Sequence, residues 1–273
     1  MTDAHCHVSC GDSSVRELLI GRDFFGVHPW ETLDGTTGTT ETTGTNGTRS
    51  ALVPDVPVVP DVPFPAALLS SLRSTLLAHP KAGVGEIGLA RLQVRDIPPR
   101  MREVFEAQLA LALELGRPVV LHGAKCWGQV VEAVRRVRTS VTSRKGAVPA
   151  GLSTVDCRLS TFLFHGFSRS DGLIPDIVAL GGFISVGPAV LNDHAVNYRE
   201  LVKKIPLDRL LVETDRTSSA SASPHVAMPQ NPLASSSISI FDVLVKTADF
   251  LNISAAELER ITDENADRFL GVV

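Results

Sequence analysis

The sequence predicts an α/β fold built on a mainly parallel sheet, and three observations carry that prediction. Short, continuously apolar runs recur along the chain, as parallel strands covered on both faces require. Between them lie segments with an apolar residue every three to four positions, the spacing of one helix face. The residues best suited to chemistry fall at the ends of the apolar runs, where barrels and open α/β sheets both gather their sites. Such alternation implies right-handed βαβ units and leaves open whether the sheet closes.

Taken in order, an opening strand ends at His5 and His7, and buried strands are expected at 23–27, 82–87, 118–122, 160–165, 182–186 and 208–213. In 100–115 the apolar positions Met101, Phe105, Leu109 and Ala112 mark a helix, with Pro98 and Pro99 at its start and Gly116 at its stop. Trp127, Val131, Val134 and Val137 mark a second helix over 126–138. The weak region is 8–22. Only 18 residues separate His7 from Gly26, too few for a helix, a strand and a second helix at ordinary lengths, and the stub Val15 to Ile20 is the one strand candidate there.

One domain spanning residues 1–273 is expected, decorated by three insertions. Residues 32–63 are Thr/Gly-rich and then carry a Val-Pro-Asp repeat; 139–157 and 216–237 are rich in Ser, Gly and Pro. All three read as flexible surface loops. They leave roughly 200 residues, thin against the roughly 250 of a typical eight-unit barrel, so some unit should be missing or abbreviated.

The chain is 44% hydrophobic and carries a net charge of −4, which fits a globular protein with a sizeable core and argues against a general polyanion-binding surface. A nucleic acid would have to be held by a local site. Four scattered cysteines without a C-x-x-C pair read as reduced thiols. No apolar run is long enough to cross a membrane, and the chain reads as intracellular, cytoplasmic or nuclear.

The candidate ligands are His5 and His7 on the first strand, Glu86 at the end of 82–87, His122 and His165 each closing an apolar run, and Asp215 just past 208–213. Each alone has an ordinary structural explanation, such as a satisfied core-edge histidine or a helix-capping carboxylate. Six at five strand ends are not what structural need produces. Imidazoles and carboxylates suit divalent ions, and a carboxylate can bridge two ions where a histidine cannot readily do so, which makes Glu86 the candidate bridge.

At these residues the sequence resembles the TatD family of metal-dependent hydrolases, within the amidohydrolase superfamily. The matching motifs are Asp3-Ala-His5-Cys-His7, Gly26-Val-His28-Pro-Trp30, Gly85-Glu86-Ile-Gly-Leu89, Pro118-Val-Val-Leu-His122, His165-Gly-Phe-Ser168, Glu213-Thr-Asp215 and Asn265-Ala-Asp-Arg268-Phe-Leu-Gly271. The resemblance implies a distorted TIM-like (β/α)8 barrel, here with a vestigial or missing second strand. It implies one ion held by His5, His7, Glu86 and Asp215, a second held by Glu86, His122 and His165, and Asp215 as general base, so that Asp215 and Glu86 are the catalytic pair. The cofactors would be two divalent ions (Mg, Mn or Zn). The expected reaction is hydrolysis of phosphodiester bonds in DNA, at ends or in single strands and without sequence specificity.

His28 resembles a site-facing position that contacts substrate. The chain departs from the family in carrying Ala90 where Asp is usual, Ala124 where Arg is usual, Arg169 after His-Gly-Phe-Ser, and Arg216-Thr217 in place of Ser-Pro. Lys125, Arg169 and Arg216 all lie within four residues of a predicted ligand and are candidate phosphate contacts in place of the missing arginine. Two other functions would use the same ligands: hydrolysis of another ester or amide, such as an aminoacyl ester on tRNA, and non-catalytic binding by a barrel that keeps its metal for docking.

Overall fold

A computed structural model describes residues 1–32, 66–92, 94–145, 160–216 and 238–272. Eight strands, all parallel to their partners, follow the chain: β1 (Thr2–Cys6), β2 (Arg16–Leu19), β3 (Phe24–Phe25), β4 (Gly83–Ala90), β5 (Val119–Ala124), β6 (Phe162–Phe164), β7 (Gly182–Val186) and β8 (Leu210–Val212). Among the described residues seven α-helices accompany them: α1 (Ala66–Ala78), α2 (Pro99–Leu115), α3 (Trp127–Lys145), α4 (Ile174–Ala179), α5 (Val196–Val202), α6 (Ile240–Leu251) and α7 (Ala255–Leu270). Strands β3 to β8 form one sheet in sequence order and β1–β2 a second. Two seams join them. At one, a single bridge links Ile20 to Phe24; at the other, the Asp215 amide donates to the His5 carbonyl (3.0 Å) and the His7 amide to the Arg216 carbonyl (2.8 Å). The result is a distorted barrel.

The interior and exterior of the wall follow from strand alternation. Val119 and Leu121, Phe162 and Phe164, and Leu210 and Val212 pack outward among the helices. The residues between them, Val120, Leu163 and Leu211, join Ala4, Leu18, Phe24 and Phe183 in a separate cluster inside the barrel. Helix α7 closes the end where the strands begin. Phe269 stacks on Phe24 with centroids 5.9 Å apart and meets Phe183 edge-on. The buried Asn265 amide donates to the Leu207 and Leu210 carbonyls, both at 2.7 Å.

The second strand is present, four residues long, so the abbreviation falls on the connection before it. Residues 7–15 contain no helix, although parallel strands are ordinarily joined by a crossover of a dozen or more residues. Glu17 holds the short loop folded: its carboxylate accepts from the Cys10 amide at 2.6 Å and from the Ser9 hydroxyl.

Helix α2 starts at Pro99 and ends at Gly116, whose φ of +64° closes the last turn onto the Ala112 carbonyl. Helix α3 runs on to Lys145, past the break expected at 139, because the Ser/Thr residues there form further turns with Thr139 and Thr142 hydroxyls bonded to carbonyls of the preceding turn. The rest of that proposed insertion, and residues 33–63 and 217–237 of the other two, lie outside the described residues, as does Cys157. Cys6, Cys10 and Cys126 are free thiols. Among the described residues no helix is long and apolar enough to cross a membrane.

Replacing Phe269 by Ala would remove the plug from the inner cluster. The expected loss is roughly 3–5 kcal/mol, read as a lowered urea midpoint with an unchanged slope.

Candidate metal centre

The same alternation that builds the inner cluster delivers the polar residues to the opposite end of the barrel. His122 lies two residues beyond Val120, His165 two beyond Leu163, and Glu213 and Asp215 two and four beyond Leu211. Side chains so spaced share the inward face. Two strands break register where they carry a ligand. The β1–β2 ladder shifts between Asp3 and Cys6, around His5, and the β4–β5 ladder shifts between Val84 and Ile87, around Glu86. Irregularities of this kind re-aim a side chain. Just beyond, Gly88 has a φ of +154° and lies so near β5 that a Cβ would stand 2.0 Å from the His122 carbonyl oxygen. A side chain there would push Glu86 and His122 apart.

Glu86 is buried at the centre. Its Oε2 lies 3.4 Å from His5 Nε2 and 3.3 Å from His7 Nε2; its Oε1 lies 2.5 Å from His122 Nδ1, 2.6 Å from His165 Nε2 and 3.4 Å from His28 Nε2. Asp215 completes the first group, with Oδ1 3.5 Å from His5 Nε2 and 3.8 Å from His7 Nε2. All six expected ligands are therefore brought together, and Glu86 divides its two oxygens between two sets of histidines.

The first group has the proportions of an ion site. Ligand atoms placed tetrahedrally about 2.0–2.2 Å from a common ion stand roughly 3.3–3.6 Å apart, and the histidine-to-carboxylate distances here are 3.3–3.8 Å, with His5, His7 and Asp215 atoms all within 4.8 Å of one another. The second is tighter, with His122 Nδ1 3.1 Å from His165 Nε2, and its members must part before an ion enters between them. His5 Nε2, which faces both Glu86 and Asp215, is buried without a hydrogen-bond partner. Buried polar atoms rarely stay unsatisfied, and a divalent ion is the partner this donor set suits.

Charge is strongly redistributed. Burial opposes ionisation of Glu86, but the surrounding His165, His28 and His122 outweigh it and hold the carboxyl well below its usual range. Burial also pulls His5 down, yet the neighbouring Asp215 and Glu86 carboxylates leave it raised to about 9. For His122 burial wins, and the ring is pushed down to about 4. Asp215 is lowered because the neighbouring His5 and His165 overcome its desolvation.

His28 also faces this centre. Its Nδ1 accepts from the Trp30 amide at 3.2 Å, which leaves Nε2 turned toward Glu86. His28, Glu86 and His122 offer atoms within 4.8 Å of one another, a third group close enough to hold an ion. Trp30 stands edge-on to both His28 and His122 and fixes their planes.

Three supporting residues escaped the sequence analysis as site residues. Glu213, fully buried, accepts from the Gly166 amide (2.7 Å) and the Ser185 hydroxyl (2.5 Å), and its Oε1 faces His165 Nδ1 at 3.8 Å. Asp3 accepts from the amide (2.9 Å) and hydroxyl (2.6 Å) of Thr214, the residue before Asp215. Burial raises its carboxyl to about 6 against those bonds. The signal for Glu213 and Ser185 was strand parity, two residues beyond Leu211 and Phe183.

The three candidate cations part company. Arg216 points its guanidinium at Glu17 Oε1 (3.4 Å) and the Ile238 carbonyl (3.4 Å), with both members of the ion pair largely buried. It is committed to the wall rather than free for a phosphate. Lys125 is exposed at the turn between β5 and α3. Arg169 lines a cleft of about 930 Å³ that opens beside Asp215. Lys125, Arg169 and Asp215 all adopt φ between +48° and +59°, a conformation that costs a residue with a Cβ roughly 1–2 kcal/mol.

Residues 22–271 match the model of TatD-related DNases. The chain belongs to that family. Among curated TatD-type relatives, an uncharacterized metal-dependent hydrolase, YabD of Bacillus subtilis, is 27% identical over 198 residues, 72% of this chain and 68% of that one. A protein named 3′-5′ ssDNA/RNA exonuclease TatD, from Klebsiella pneumoniae, is 31% identical over 143 residues, 52% of this chain and 48% of the relative. The chain thus aligns with about half the length of that exonuclease. The crystal structure of YJJV, a TatD homolog from Escherichia coli, superposes with a TM-score of 0.59 at 20% identity, covering 96% of this chain and 79% of that one. The likeness is one of fold. Membership in the TatD family makes this chain a metal-dependent hydrolase.

Two measurements bear on the centre. Glu86→Gln should lower the divalent ions bound per chain, read by elemental analysis after gel filtration, because the shared charge between the two histidine sets is lost. Arg216→Met should cost roughly 1–3 kcal/mol of stability by leaving the Glu17 carboxylate underpaired, read from urea melts.

Proposed function

We propose that the protein is a divalent-metal-dependent deoxyribonuclease that hydrolyses phosphodiester bonds at DNA ends or in single strands. The observation that carries the reading is the division of Glu86 between two histidine sets, since two ions sharing one carboxylate suit phosphoryl transfer. The exonuclease names of some relatives support the same substrate class.

In this reading His5, His7 and Asp215 hold one ion with Glu86, and His122 and His165 hold the other with Glu86. Bound there, Mg, Mn or Zn ions would acidify and orient a water and offset charge growing on the phosphoryl and leaving oxygens. The protein residues supply the rest. Asp215, 45% exposed where the cleft begins, is the one carboxylate of the centre open to solvent, and it accepts the proton of the attacking water. His28 donates from Nε2 to a non-bridging oxygen, which holds the phosphate against Glu86. Glu213 faces His165 and keeps its ring turned toward the centre, as carboxylates behind metal-binding histidines do. The inner cluster beneath keeps solvent from reaching the site through the barrel.

The test is hydrolysis of 3′-labelled single-stranded DNA beside an aminoacyl ester, with and without added Mg, Mn or Zn. Metal-dependent release of nucleotides is expected, abolished by chelator. Asp215→Asn keeps an oxygen at the position and should lower kcat by roughly 10²–10⁴ with little change in KM. Turnover of the ester without any of DNA would transfer the site to acyl hydrolysis, and two bound ions with no hydrolysis of either would favour a binding protein.

A further inference from the structure

Beside Asp215 the barrel mouth opens into the cleft of about 930 Å³, near the upper end of the range that buries a drug-sized ligand and more than a single phosphodiester requires. Its lining includes Gly166, Thr214 and Asp215, which adjoin or belong to the metal centre, together with Arg169, His194 and Asn197. A chain molecule whose scissile bond sits at the metals would have its neighbouring unit here.

The charges in the cleft are mostly spoken for. Lys204 pairs with Asp171, Glu200 with Lys203, and Arg216 with Glu17. Glu213 is buried and hydrogen-bonded beneath the floor. Among the described residues Arg169 has no carboxylate partner, and it is held at a φ of +59°, where a glycine would sit without strain. A long cationic side chain occupies a position that the backbone would give to glycine, on the turn that begins at the ligand His165. Such an outlier points to a role that the fold does not explain.

We infer that this cleft receives the strand segment next to the scissile bond and that Arg169 binds the phosphate adjacent to it. The inference rests on the proposed nuclease function. Tyr198, the aromatic residue in the lining, has its hydroxyl tied to the Gly187 amide at 3.0 Å, and a single such ring does not make a stacking platform of the kind that grips successive bases. Grip therefore comes through phosphate charge, tolerant of sequence and sensitive to salt.

Arg169→Gly separates this role from a structural one, because the two predict opposite signs. The change relieves the left-handed backbone, so the melting temperature should hold or rise. Binding of a fluorescent phosphorothioate single strand to the metal-loaded protein, followed by anisotropy, should weaken about tenfold. The slope of log affinity against log salt should become shallower by about 0.7, the share of one phosphate on a single strand. Arg169→Lys should recover part of the affinity and the full slope. Unchanged affinity and slope in Arg169→Gly, or no binding by the native protein, would overturn the inference. Hydrolysis of bis-p-nitrophenyl phosphate by the native protein reports separately on the nuclease reading, since that substrate has one phosphate and no neighbour to place in the cleft.

Discussion

A single buried carboxylate organises this molecule. Ionised Glu86 sits inside a protein wall where an unpaired charge would be prohibitive, and five imidazoles stand within 3.4 Å of one or other of its oxygens. Each imidazole comes from a strand end or from the turn after β3, so the barrel must bring at least four segments into register to compensate one charge. Compensation of the carboxylate leaves one gap: His5 Nε2, facing both Glu86 and Asp215, is buried without a hydrogen-bond partner. The scaffold satisfies its carboxylate and leaves the histidine beside it wanting a cation.

Much of this was legible in the sequence because the fold repeats one device. Strands such as 118–122 and 160–165 are apolar on both faces up to the point where a histidine follows, and that change of character marks the mouth of a barrel. Helix α2 announced itself by Pro99 and Gly116, and α7 could have been read likewise from the capping Ser254 and the closing Gly271. What lay beyond reach was the depth of each strand residue. Continuous apolarity conceals parity, so Glu213, two residues past Leu211, passed for part of a motif rather than a second carboxylate aimed at His165.

The remaining gaps are questions of distance along the chain. Arg216 reads as a free cation beside a ligand until Glu17, 199 residues earlier, is placed against it. No local pattern carries that information. The pair also explains how a barrel tolerates the loss of a helix after β1. Glu17 gathers Ser9, Cys10 and Arg216 around one side chain, so polar contacts brace a wall that a helix would otherwise cover. The departure from the family's usual Ser-Pro and the shortened first connection are then two sides of one arrangement.

The seam between β1 and the end of β8 has a consequence for how the centre comes into being. His5 and His7 emerge from the ribosome long before Asp215, whose amide closes onto the His5 carbonyl. At about 5–20 residues per second the interval is roughly 10–40 s. Throughout it the opening strand has no β8 to lie against. Assembly of the candidate ligand set is in this sense timed by translation: its six residues can come together only after the last strand has docked, which ties the centre to completion of the fold.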